Sequence, residues 1–140
     1  MADFYATNTA GSRSVPPVLA NGGDSGGRQR VYYDEYVTAG SEVIGDRILI
    51  GKLRAGQRFV GGVLAFGAMG SSRTFKLGDA DDDDRFLAAT SVAAAGHVDV
   101  AALAGFGLKT AKDADLFLTV GGGTLPGGQP VKICLRVVSD

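Results

Sequence analysis

Five aspartates crowd one short stretch, Asp79 and Asp81 to Asp84, and Arg85, Phe86 and a run of small residues follow at once. Clustered carboxylates are hard oxygen ligands, so calcium is the first chemistry to consider. Asp79, Asp81 and Asp83 occupy the first, third and fifth places of an EF-hand-like loop. The sixth place needs glycine for a sharp turn but holds Asp84, and the twelfth needs a bidentate glutamate but holds Thr90. The EF-hand reading fails. An irregular calcium site using Asp79, Asp81 and Asp83 stays open, as does a charged contact to a partner. The expectation is plainer: a solvated loop in which Arg85 and backbone N–H groups offset part of the charge, with no cofactor.

The other reactive side chains are isolated. His97 could be drawn into a triad with Asp99 and a serine, but no spacing supports it. Cys134 alternates with apolar residues and reads as a small packed side chain rather than a nucleophile. One cysteine forms no internal disulfide, and one cysteine with one histidine builds no zinc site. The glycine-rich segment 121–128 lacks the Gly-Lys-Ser/Thr ending of a phosphate loop, and the segment at 105–110 lacks the third glycine of a dinucleotide fingerprint. No enzyme is expected.

The chain has 140 residues, the length of one domain, and a formal net charge of −1. Arg47, Lys52, Arg54 and Arg58 come closest to a basic stripe, and acidic residues elsewhere balance them, so nucleic acid is not expected as a partner. The uncharged stretches 59–72 and 86–98 are too short and too rich in glycine or alanine to span a bilayer as a helix. The first residues lack the basic start and apolar core of a signal peptide, so synthesis in the cytoplasm is expected.

The 22 glycines, about twice the usual share, sit between short apolar runs without a Gly-X-Y repeat and punctuate strands. Residues 1–30 show little apolar periodicity. Pro16-Pro17 and the glycine cluster after Asn21 predict an extended, flexible arm, with Phe4, Tyr5, Val15, Val18 and Leu19 as anchors for a partner and Arg28 and Arg30 at its end. From Val31 the composition turns aromatic and β-branched. Strands are expected over 31–39; over 46–54, with Leu49 and Leu53 on one face and Lys52 and Arg54 on the other; and over 59–66, covered on both sides or lying at a subunit contact, with a bulge or a close backbone approach at Gly61-Gly62. Another runs over 73–77, with Phe75 and Leu77 facing inward, and delivers the chain to the aspartates. A short helix fits 84–95, with acidic residues at its start and Gly96 at its end. Strands follow over 105–110 and 115–120, then a long mobile hairpin loop at 121–128. The final strand, in which Val131, Ile133, Leu135 and Val137 alternate with Lys132, Cys134 and Arg136, is regular enough to sit centrally in a sheet. Seven or eight short strands about ten residues apart indicate an all-β protein: an antiparallel β-sandwich over 31–140, of jelly-roll type.

The stretch from Leu77 to Ser91 resembles a segment of small virion proteins of tailed bacteriophages, Gly-Asp-Ala-Asp-Asp-Pro-Asp-Arg-Tyr/Phe-Leu-Ala-Ala-Thr. It departs from that pattern at Asp83, where proline is expected. The lead-in from Leu53 to Val63 and the pair of strands at 115–120 and 131–138 resemble the same family, whose last two strands form a C-terminal hairpin. The resemblance covers residues 31–138 and leaves the arm unmatched. It implies a head decoration protein on the outer capsid surface of the virion that stabilises the shell. The major capsid protein and further copies of itself, as a homotrimer, would be its partners. A calcium- or carbohydrate-binding module of a phage tail or host-recognition device is the alternative. The lack of tryptophan and the clustering of tyrosines at 5, 32, 33 and 36 weigh against it.

Overall fold

A computed structural model describes residues 27–139, together with 2, 4, 10 and 13–19. Eight strands follow one another: β1 (Arg28–Ala39), β2 (Arg47–Leu53), β3 (Arg58–Phe66), β4 (Thr74–Gly78), β5 (Leu87–Ser91), β6 (Gly96–Asp99), β7 (Ala114–Gly121) and β8 (Gly127–Ser139). They form two four-stranded antiparallel sheets, ordered β1-β8-β3-β6 and β2-β7-β4-β5. The chain passes between sheets at most connections, which is the jelly-roll arrangement expected from the strand count. β8 lies between β1 and β3, inside its sheet as its alternation predicts.

The core is the apolar face of each sheet turned toward the other. Val131, Ile133, Leu135 and Val137 of β8 meet Leu116, Leu118 and Val120 of β7 across the sandwich interior, with Phe59, Leu64, Phe75 and Leu77 alongside, all buried. Period-2 alternation places every second residue of these strands inside. Phe59 and Phe86 close the core edge-to-face, ring centroids 4.8 Å apart at 63°.

Four expectations are corrected by tertiary context. In β2 the inward residues are Ile48, Ile50 and Leu53, while Leu49 stands 67% exposed. A register shift between Leu49 and Gly51 lets Ile50 and Leu53 share a face although they are an odd three positions apart. The helix over 84–95 does not form. Leu87–Ser91 instead pairs with β4, because Phe86, Leu87 and Val92 all need burial against the β4 side of the sandwich, and that outweighs the helix preference of the alanines.

Segment 105–110 is a turn-rich loop rather than a strand; it meets β3 at an isolated Arg58–Lys109 bridge, where the Phe59 N–H donates to the Leu108 carbonyl at 2.9 Å and the Gly107 N–H to the Phe59 carbonyl at 2.8 Å. Gly105 lies so close to the Phe86 ring that a Cβ there would overlap it. Last, β7 and β8 belong to different sheets, so 121–128 is no hairpin loop and the two strands are no hairpin. It is also well anchored. Leu125 is buried, its N–H donates to the Glu42 carbonyl oxygen at 3.0 Å, and Arg73 Nε donates to the Thr124 carbonyl at 2.9 Å. The bulge expected at Gly61-Gly62 is present as a register shift between Phe59 and Gly62, where the carbonyl of Cys134 approaches too closely for any Cβ at Gly62.

Candidate functional site

β4 ends at Gly78, and the aspartates form the turn that carries the chain across to β5. Asp79 is buried at 4% exposure and organises the turn. Its Oδ1 accepts the N–H groups of Asp81 at 3.1 Å and Asp82 at 3.0 Å, and its Oδ2 accepts Arg85 Nη1 at 3.0 Å. The backbone closes the same loop, with Asp79 N–H donating to the Asp82 carbonyl at 3.0 Å. Gly78 is required by this closure: a Cβ would run into the Asp82 carbonyl oxygen and the Asp83 backbone. A carboxylate with two backbone donors and one guanidinium has its lone pairs largely committed.

The remaining aspartates point elsewhere. Asp83 pairs with Lys76 Nζ at 2.8 Å, which raises the lysine pKa through that hydrogen bond, and Asp81 is exposed. Asp79, Asp81 and Asp83 therefore do not converge as a ligand set. The carboxylates that gather are those of Asp82, Asp83 and Asp84, within 4.8 Å of one another at the surface. Asp82 and Asp84 sit close enough to perturb each other. Their mutual hydrogen bond and the Asp84 backbone N–H hold Asp82 below the ordinary carboxylate range, and the same contact pushes Asp84 above it. Exposed acidic groups of this kind are ordinary on a solvated turn.

The loop folds over the outer face of the β2-β7-β4-β5 sheet. There Phe117, opposite Leu49 on one side and Gly78 on the other, is 4% exposed though it faces away from the core. The Arg47 guanidinium stacks over its ring at 4.6 Å. A shallow depression beside it is lined by Arg47, Lys76, Thr119 and the 79–83 turn. The sequence marks 115–120 as a strand, but nothing in it announces that the aspartate turn would roof Phe117.

At the opposite end of the sandwich a second polar cluster was not anticipated. The Glu42 carboxylate is buried and accepts the Tyr36 hydroxyl, the Ala39 N–H at 2.7 Å and the Gly40 N–H at 3.1 Å. Burial alone would raise its pKa, but these donors together bring it below the usual value, while Tyr36 is raised by donating to it. The cluster ties the β1–β2 turn to the β7–β8 connection. Its only trace in the sequence is an acidic residue three positions beyond a strand end.

The anchors expected on the arm are solvent-facing where described: Phe4 at 92% exposure, Val15 at 97%, Leu19 at 82% and Val18 at 64%. Tyr5 and residues 21–26 of the glycine cluster lie outside the described residues. Arg28 and Arg30 belong to β1 and are exposed. His97 and Asp99 are exposed on β6, Cys134 is half-buried on β8, and no nucleophile–base–acid constellation occurs among the described residues.

Solved capsids share this fold. A chain of the cyanophage Pam1 capsid asymmetric unit superposes with a TM-score of 0.74 at 21% identity, over 98% of this chain and 100% of that one. A chain of the capsid of Ralstonia phage GP4 gives 0.69 at 20% identity over 81% of this chain and 86% of that one. A chain from the acidic stable capsid structure of Helicobacter pylori bacteriophage KHP30 gives 0.57 at 13% identity, over 79% and 86%. No protein-family model matches the sequence, and no curated protein matches it either. At these identities the likeness is one of fold.

Proposed function

We propose that this chain is a structural virion protein of a tailed bacteriophage, a decoration protein that binds the outer surface of the capsid and stabilises the head. The observation that carries this reading is the reciprocal coverage with the Pam1 capsid chain: 98% of this chain against 100% of that one. The likeness is thus between two whole chains of similar length, rather than between this chain and one domain of a larger shell subunit. Fold alone does not fix function, but a small sandwich with no catalytic constellation among its described residues is suited to adding onto a preformed lattice. A ligand that binds the assembled shell and not its dissociated subunits shifts the equilibrium toward the shell, which is how such a protein would act. The major capsid protein is then its partner, reached by the arm through Phe4, Tyr5, Val15, Val18 and Leu19, with Arg28 and Arg30 at the start of β1 beside it. Homotrimers at three-fold positions match the symmetry of the lattice. The test is addition of the purified full chain to heads that lack it. Co-sedimentation and a higher rupture temperature are expected; a chain that stays in the supernatant and leaves rupture unchanged would refute the reading.

A further inference from the structure

The two lateral sides of the sandwich differ. On one side the sheets end in β5 and β6, of five and four residues, short edges of the kind that discourage strand addition. On the other side they end in β1 and β2, and β1 is 12 residues long with no strand along its outer edge among the described residues. Of the eight exposed large hydrophobic residues between 27 and 139, six lie in the β1–β2 unit: Val31, Tyr33, Val37, Val43, Ile44 and Leu49. A long edge flanked by exposed apolar side chains is a template for another strand.

The charges on β1 say which strand fits. Its first half carries Arg28 and Arg30, and after Tyr33 come Asp34 and Glu35. An open groove of about 530 Å³ runs beside the basic half, where Arg30, Val31 and Tyr32 face Arg54 and Ala55 of the β2–β3 turn. The groove calls for an acidic occupant, and the acidic half of a second β1 supplies one. Among the described residues Arg28, Arg30, Asp34 and Glu35 form no ion pair; Arg30 donates to the Ser139 hydroxyl at 3.3 Å, and Glu35 accepts the Tyr33 hydroxyl at 3.0 Å.

We infer that β1 pairs antiparallel with β1 of a second copy of this chain about a two-fold axis through Tyr32. This register sets Arg30 opposite Asp34 of the second copy, Val31 opposite its Tyr33 and Gln29 opposite its Glu35, each twice by symmetry. Residues of like parity meet, so outward side chains stay outward and the two β1-β8-β3-β6 sheets become one. Opposite charges and apolar groups directly across an antiparallel pair stabilise it, and parallel pairing would lose the charge match. The contact is two-fold, so it is distinct from the three-fold contact of the proposed trimer, and it does not depend on the virion reading.

The test is register-specific disulfide trapping in the full chain. Tyr33 lies opposite Cys134 on β8, so Cys134→Ser is the background, which prevents a bond within one chain. Chains carrying Val31→Cys and chains carrying Tyr33→Cys are mixed and oxidised with copper phenanthroline. A covalent dimer on a denaturing gel is expected from the mixture, with little from either chain alone. Adding Arg30→Glu to both should cut the yield several-fold, and adding Asp34→Arg as well should restore it. Equal crosslinking by the separate chains, no dimer from the mixture, or a yield indifferent to the charge changes would overturn the pairing. Circular dichroism of each variant ensures that a lost dimer is not a lost fold.

Discussion

The buried aspartate among the residues that look reactive is used to build a turn. Asp79 spends its lone pairs on two backbone N–H groups and Arg85, and Asp83 is held by Lys76. Millimolar calcium is therefore expected to leave the melting temperature unchanged, and an upward shift would show that Asp82, Asp83 and Asp84 hold an ion. Glu42 offers a pH signature. Its folded pKa lies below the ordinary value of 4.5, so the folded state binds its proton less readily than the unfolded chain does. The stability it contributes is complete above the unfolded value and is lost as pH falls through the folded one. Glu42→Gln should cost on the order of 1–3 kcal/mol at neutral pH, the scale of hydrogen bonds to a buried charge. The gap to the parent protein should narrow in acid. Urea unfolding of both proteins across pH measures this, and a gap independent of pH would show that the carboxylate's charge is not what matters.

At the scale of the strands, the turns and bulges decide which face each side chain meets. The shift between Leu49 and Gly51 turns Leu53 inward and leaves Leu49 out, and the bulge at Gly61-Gly62 resets the register of β3 against β8. Gly62 has no room for a side chain because the Cys134 carbonyl lies against it, whereas nothing lies within 4 Å of a Cβ at Gly96. Gly62→Ala is expected to destabilise the fold by about 1–3 kcal/mol through overpacking against backbone. Gly96→Ala should be near neutral. Chemical denaturation of the pair checks the contrast, and equal effects would mean that the β3–β8 contact yields easily.

For the molecule as a whole, the core lies among the eight strands and their connections between Arg28 and Ser139, and no described residue of the arm belongs to it. The arm's described apolar residues, Phe4, Val15, Val18 and Leu19, are all exposed, so they add little burial to the folded domain. Removing residues 1–26, which leaves β1 intact, should preserve the melting temperature and the β-sheet circular dichroism while weakening attachment to capsids in co-sedimentation. A truncated chain that unfolds would place the arm in the core, and one that binds capsids undiminished would place the attachment surface on the sandwich. The cut belongs before Arg28, because β1 begins three residues ahead of the change in composition at Val31.

Alternation in β4 and β8, the glycines between runs and the strand spacing were enough to read a jelly-roll sandwich with β8 inside a sheet. These features are local: a period of two and a turn residue act over a few positions, so the sequence shows them directly. Competition between distant segments is not local. The alanines at 88–89 favour a helix by themselves, and only the need to bury Phe86, Leu87 and Val92 beside β4 makes β5 a strand. Likewise β7 and β8 look like a hairpin until the stacking of two sheets sends them to opposite layers. The same holds for the aspartates. Their residue types suggested a metal, and the missing glycine and glutamate argued against an EF-hand. The burial of Asp79 and its partners required the tertiary fold, because a carboxylate's role depends on which donors the rest of the chain brings within reach.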